Sequence, residues 1–326
     1  MEGRESGRFG AVSEPWWKES VVYQIYPRSF DLKGVSSRLD YLLWLGVDAL
    51  WLSPVPRSPT LDDFDRLVEA AHQRELKVLI DCAPTHDELR FWLARGVDGL
   101  HVSSDHDSAH PRLRGLRTLL DSYPGNPVIV GDGKNDELHL VLSSLPLDTP
   151  WRAEAFAERI RHTSEALEPI DAWPTWRLMR ASIVEREARA AAVLTLTLRG
   201  TPFLGMGEEL GFEDPVLTVE SPVRSVAAQQ ADVQSMLWLY RKLLAARRSS
   251  PALHRGSQRM LDAPQGVLAW ERRAEAEARE IWINFEPLAI DIPARGEVVV
   301  ASQGRDEGFE FSGRLEPHEA VVLIQK

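Results

Sequence analysis

The chain has 326 residues, a formal net charge of −11, 44% hydrophobic and 27% charged residues, and 11 tryptophans. That length holds one large barrel with a small appendage, and the apolar-to-charged balance is that of a folded globular protein. The acidic excess sets aside nucleic acid and anionic membrane surfaces as partners, because phosphate groups are bound by clustered Lys and Arg.

Residues 1–17 form a polar N-terminal extension, and MEGRESGRFGAVSEP lacks the apolar centre of a leader peptide. From about residue 18 to 250, short apolar runs rich in β-formers alternate with amphipathic stretches, the pattern of a parallel sheet covered by helices. The expected strands are VVYQIY (Val21–Tyr26), ALWL (Ala49–Leu52), KVLIDC (Lys77–Cys82), GLHV (Gly99–Val102), VIVG (Val128–Gly131), LHLVLS (Leu138–Ser143), WRLMR (Trp176–Arg180) and TPFLGM (Thr201–Met206). The third ends in Cys82, the one cysteine, so an intramolecular disulfide and a thiolate metal cluster are both excluded.

Between the strands lie helical stretches such as LDDFDRLVEAAHQR, EAFAERIRHTSEAL and DVQSMLWLYRKLLAARRSS, with apolar residues recurring at three and four. Eight strand-helix units in series predict an α/β fold, a closed (β/α)8 TIM barrel. After residue 250 the runs GVLAWERR, EIWINF, LAIDI, EVVVAS, FEFSG and AVVLIQ predict an antiparallel β-sandwich over residues 251–326. The charged stretch WERRAEAEARE (Trp270–Glu280) reads as an exposed hairpin tip. Trp44, Trp51, Trp92, Trp173, Trp176 and Trp238 fall at positions where aromatic rings fill core space. No run of 18 apolar residues occurs, so the expectation is a cytoplasmic protein with no membrane segment.

The segments WWKESVVYQIYPRSF, SRLDYLLWLGVDALWLSPV, DDFDRLVEAAHQRELKVLID, GVDGLHV, AWPTW and LTLRGTPFLGMGEELGF carry a resemblance. Together they resemble glycoside hydrolase family 13, the α-amylase family, of the α-glucosidase and oligo-1,6-glucosidase type. The resemblance implies a retaining glycosidase without a cofactor. Such an enzyme places a carboxylate nucleophile and a carboxylic acid about 5–5.5 Å apart around the scissile bond.

Position by position, the family pattern is only partly met. Asp-x-x-x-Asn-His of strand 3 corresponds to Asp81, Thr85 and His86. Gly-Phe-Arg-x-Asp of strand 4 corresponds to Gly99, Leu100, His101, Val102 and Ser103, so His101 replaces the orienting Arg and Ser103 the nucleophile. The acid Glu of strand 5 corresponds to Asp132, and Asn-His-Asp of strand 7 to Arg180, Ala181 and Ser182. No catalytic set is therefore intact at Ser103, Asp132 and Ser182, while Asp81, His86 and His101 remain as candidate substrate-binding residues. A hydroxyl cannot stabilise an oxocarbenium-like centre by charge as a carboxylate does. Asp105 and Asp107 lie two and four residues beyond Ser103, and two extended residues already displace a carboxylate by roughly 6–7 Å.

The resemblance implies a long segment with a sugar-stacking Tyr after strand 2, where this chain has only SPVPRSPT, and an inserted domain after strand 3, for which APTHDELRFW leaves no room. Sharper alternatives compete with plainer ones. Ser103 with His101 could be a nucleophile and base, yet no Gly-x-Ser-x-Gly surrounds it. His101, Asp105, His106, Asp107 and His110 could bind a metal, against the plainer reading of a turn-forming loop, so no metal site is assigned. Asp81 and His86 suit strand-end hydrogen bonding, and Glu208 and Glu209 read as structural. Three functions stay open. They are a catalytically silent barrel serving as a scaffold for a protein partner, as the heavy chains of heteromeric amino-acid transporters resemble this family without its activity; a glycosidase or sugar-binding protein with weak residual activity toward a small saccharide; and a minimised barrel.

Overall fold

In the computed structural model, which describes residues 15–26, 32–53, 61–81, 85–102, 115–132, 137–145, 150–170, 172–178, 184–211 and 225–325, eight parallel strands pair in chain order and close into a barrel. They are β1 (Val22–Ile25), β2 (Ala49–Leu52), β3 (Lys77–Asp81), β4 (Gly99–Val102), β5 (Val128–Asp132), β6 (Leu140–Leu145), β7 (Trp173–Leu178) and β8 (Thr201–Gly205). The ring is completed by β8 lying against β1, with Val22 opposite Phe203.

Both faces of β1, β2, β4, β5 and β8 are buried, which is why they read as continuous apolar runs rather than alternating ones. Inward-facing Val22, Ala49, Trp51, Leu79, Val128, Val130, Leu140, Trp173 and Phe203 make one apolar cluster inside the barrel. Outward-facing Tyr23, Leu50, Val78, Leu100, Ile129 and Leu204 join the larger core under the helices. Gly99 occupies an inward position where a Cβ would come within 2.6 Å of Val128 and 2.8 Å of Leu79. Only a residue without a side chain fits there.

The helices are α1 (Trp16–Glu19), α2 (Leu32–Ser36), α3 (Leu39–Leu45), α4 (Leu61–His72), α5 (His86–Leu93), α6 (Leu116–Asp121), α7 (Ala153–Leu167), α8 (Glu185–Thr197), α9 (Val226–Ala231), α10 (Met236–Ser249) and α11 (Pro251–Arg255). On α4 the buried residues are Phe64, Leu67, Val68 and Ala71, the three-and-four spacing read from sequence. α1 lies across the N-terminal ends of the strands. Its buried Trp17 belongs to the interior cluster, and the Trp17 carbonyl accepts the Thr201 hydroxyl at 2.7 Å.

The last half of α8 is buried all round, from Arg189 to Thr197. Its final carbonyls cannot reach water, so they need internal donors. Two buried arginines supply them. Arg247 donates to the Leu196 and Gly200 carbonyls at 3.0 and 2.7 Å, and Arg272 donates to the Thr197 carbonyl at 2.7 Å. Cations at a helix C-terminus are also favoured by the helix dipole.

Beyond α11 the chain is antiparallel. The strands are β9 (Ser257–Met260), β10 (Val267–Ala274), β11 (Glu277–Asn284), β12 (Ile290–Asp291), β13 (Glu297–Ala301), β14 (Arg314–Leu315) and β15 (Ala320–Ile324). They form a five-stranded sheet ordered β13-β15-β11-β10-β9 and a second sheet of β12 and β14. One face of the larger sheet, with Leu268, Trp270, Ile281, Ile283 and Val322, is continuous with the core under the barrel helices. The opposite face, with Val267, Ala269, Trp282, Val321 and Leu323, encloses its own core with Ile292 and Leu315.

Several boundaries differ from the sequence reading. β6 starts two residues later than expected. β7 starts three residues earlier, taking in Trp173, Pro174 and Thr175. β9 is an unexpected strand, and no strand forms at FEFSG, where Glu310 makes only an isolated bridge to Glu297. The stretch Trp270–Glu280 is a hairpin turning at Glu275, whose φ is 53°, but its flank is not exposed: Arg272 is fully buried and Glu271 nearly so. Of the six tryptophans expected in cores, Trp51, Trp173 and Trp176 are buried, while Trp44 and Trp92 are half-buried against the larger core and Trp238 is half-buried against the Trp44 ring.

Candidate functional site at the barrel mouth

Residues at the C-terminal ends of barrel strands point into one mouth, the usual location of active sites in this architecture. Strand alternation brings Gln24, Trp51, Asp81, His101, Asp132, Arg177 and Gly205 to that end with inward-facing positions. The register places Asp81 opposite His101, Asp132 opposite Leu142, and Gly205 opposite Gln24.

Asp81 is the best-connected group. One oxygen accepts the Trp51 indole N–H at 2.8 Å and lies 3.0 Å from His101 Nδ1, and the other accepts the Ser53 hydroxyl at 2.6 Å. Burial alone would push the carboxyl up, but the donors from His101, Ser53 and Trp51 outweigh it and hold Asp81 below the ordinary carboxylate range. Asp81 therefore stays ionised and draws the Nδ1 proton of His101 toward itself. The Trp51 ring packs 4.6 Å from the His101 ring. His101 is 9% exposed, and its Nε2 is buried with no hydrogen-bond partner.

The other side of the mouth has a cation. Arg177 Nη2 donates to the Tyr26 hydroxyl at 2.8 Å, and that hydroxyl donates to Gln24 Oε1 at 2.9 Å. Just beyond β8, Glu208 accepts the Gly205 N–H at 2.8 Å and the Tyr240 hydroxyl at 2.9 Å. Burial pushes its carboxyl up to about 7, against the pull of those two donors and of Arg177. Its neighbour Glu209 is buried by Tyr23 and Tyr41, whose hydroxyls donate to it at 3.0 and 2.9 Å. Glu209 thereby fastens β1 and α3 to the segment after β8.

Of the residues singled out from sequence, Asp81 and His101 are brought into contact, and Asp132 ends β5 on the inward face. His86 stands apart, exposed at the start of α5 behind the Thr85 cap. Ser103 and Ser182 lie outside the described residues, as do Asp105, His106, Asp107 and His110. Among the described residues, no group of three or more His, Cys, Asp or Glu is arranged to hold a metal ion. β3 ends at Asp81 and α5 begins at His86, so four residues separate them and no inserted domain stands there. The sequence reading missed Arg177 and Tyr26. Counting inward positions from Trp173 and Thr175 would have found Arg177, had the start of β7 been placed correctly.

With that geometry in hand, residues 24–107 match the family described as alpha amylase, catalytic domain. The amino acid transporter heavy chain SLC3A2 of Oryctolagus cuniculus is 23% identical, across 94% of this chain and 77% of the relative. An alpha-glucosidase of Pediococcus pentosaceus and an oligo-1,6-glucosidase of Bacillus cereus are 40% and 41% identical, each over 23% of this chain. The chain spans only 19% and 18% of those two glucosidases' own length. Among solved structures, the alpha-glucosyl transfer enzyme XgtA superposes with a TM-score of 0.77 at 22% identity, and the trehalulose synthase MutB of Pseudomonas mesoacidophila with 0.78 at 19%. Each covers 96% of this chain and 100% of the other.

The chain therefore has the α-amylase-family glycosidase fold, a TIM barrel followed by an antiparallel C-terminal sheet. Within that class its sequence relatives include the α-glucosidase and oligo-1,6-glucosidase type. No helix among the described residues is long and apolar enough to cross a membrane.

Proposed function

We propose that this chain is a catalytically silent member of the glucosidase type, acting as a scaffold for a protein partner. The observation that carries the reading is the residue set at the end of β4, where His101 is tied to Asp81 and Ser103 stands in the nucleophile's place. Retaining hydrolysis needs a carboxylate there, and Ser182 removes a second one. Asp132, one methylene shorter than the family's Glu, leaves the acid displaced by about 1 Å, a shift that can cost a hundredfold by itself. The transporter heavy chain, aligned across 94% of this chain, supports a role in assembly rather than turnover. The reading takes the cytoplasm as the compartment, with which a chain that forms no internal disulfide is compatible.

A glycosidase or saccharide-binding role is favoured by one observation, the survival of Asp81 and Asp132 on the mouth-facing ends of β3 and β5. The two readings separate in an assay with p-nitrophenyl α-glucoside, maltose and isomaltose at high protein concentration. The silent reading expects no turnover, and no glycosyl adduct by mass spectrometry after a mechanism-based inactivator. Hydrolysis that disappears in Asp132→Asn would defeat it.

A further inference from the structure

The mouth is electrically divided. Asp81 and Asp132 stand on the β3 and β5 side, and Arg177 stands on the β7 side, next to β8 and β1. The Arg177 to Tyr26 to Gln24 relay fixes the guanidinium in one place, since each hydroxyl or amide in it is spoken for by the next. Gln24 is itself buried on the inward face of β1. Arg177 makes no ion pair among the described residues, and its one hydrogen bond is to the neutral Tyr26 hydroxyl. Glu208 lies within electrostatic reach of Arg177, but its oxygens are turned to the Gly205 N–H and the Tyr240 hydroxyl. A half-buried guanidinium with free donors fits a planar or tetrahedral oxyanion, which it can hold through two N–H groups at once.

A second observation points into the same mouth. His101 meets Asp81 through Nδ1, and its other ring nitrogen, Nε2, is buried without a partner. A buried ring nitrogen left without a hydrogen bond is costly, and such an atom marks a place for a partner from water or from a ligand. A ligand that met both demands would bring negative charge to one side and hydroxyl groups to the other.

We infer that the barrel mouth is a binding site for a small oxyanion bearing hydroxyl groups, a sugar acid or a sugar phosphate, with its carboxylate or phosphate on Arg177 and a hydroxyl hydrogen-bonded to His101 Nε2. The inference does not depend on whether the barrel turns over a glycoside. Binding to the folded state alone raises the unfolding midpoint with ligand concentration. The full chain, as wild type, R177K and R177M, is therefore titrated with glucuronate, glucose 6-phosphate, inorganic phosphate and glucose, following thermal midpoint and calorimetric affinity.

The expected result is saturable binding of glucuronate or glucose 6-phosphate that glucose does not reproduce. Arg177→Met weakens it about tenfold or more and Arg177→Lys less, because lysine keeps the charge but not the fork. Preference for glucuronate assigns the carboxylate, and preference for glucose 6-phosphate with binding of inorganic phosphate assigns the phosphate. Equal binding of glucose, equal binding to R177M, or no saturable oxyanion binding by the wild type in the millimolar range would each overturn the inference. The comparison of charged with neutral ligands on the wild type stands even where R177M does not fold.

Discussion

Asp81 shows how one carboxylate can be absorbed by its surroundings. Its oxygens take an indole, a hydroxyl and an imidazole from β2, the residue after β2, and β4. Replacing it by alanine strands three donors, two of them on rings packed against each other, and is expected to cost about 1–3 kcal/mol in urea unfolding. Glu208 behaves in the opposite way. Its carboxyl releases a proton near 4.5 when unfolded and near 7 when folded. Between those values the folded state holds more protons, so this residue's contribution to stability falls as pH rises. E208Q should therefore gain on the wild type by at most roughly 1.4 kcal/mol per pH unit across that window and level off above it. Paired denaturation curves from pH 5 to 8 check this, and a flat difference would refute it. At this scale the sequence was half legible. The strand-end positions of Asp81 and His101 followed from the aligned motifs, but their contact with each other did not, since the sequence grouped Asp81 with His86; the Arg177 relay depends on which way a side chain faces, a fact that a three-residue error in the start of β7 reverses.

Among elements, apolar runs announced the strands because both of their faces are covered, and β1 to β5 lie close to where the pattern put them. β7 was displaced because Pro174, which cannot donate to a ladder, argues against a strand; in the barrel it pairs in register with Val141. β9 was missed because SQRM is polar and mostly exposed at the sheet's edge, paired to β10. The charged hairpin misled in the other direction. Arg272 lies on the face turned to α8, and its guanidinium meets the carbonyls of Thr197, Gly256 and Ser257 at 2.7, 3.0 and 3.3 Å. Charge in one dimension reads as exposure, and only a helix end buried beneath the sheet reveals the need for it. R272M leaves those carbonyls unmet and is expected to lower stability by about 2–4 kcal/mol, measured by the urea midpoint. A substitution on the exposed side of the same hairpin, Arg273→Met, should cost far less.

For the molecule as a whole, the core under the barrel helices runs without a break into one face of the C-terminal sheet, through Leu196 and Leu237 to Trp270 and Val322. We propose the division at residue 250 as a boundary of architecture, not of stability. Calorimetry of the full chain should then give a single unfolding endotherm. Two separated transitions would show that barrel and sheet stand independently.

The floor of the barrel has a consequence of its own. Trp17 closes the N-terminal end against Trp173 and His139, and the Trp16 indole donates to the Asn126 carbonyl at 2.9 Å beside it. Side chains fill the interior, so water reaches the strand amides only where an end of the barrel opens, and the tryptophan-sealed end is the harder of the two to open. Deuterium should label the backbone of each barrel strand from its last residues toward its first, and Trp17→Ala should let the isotope in from below.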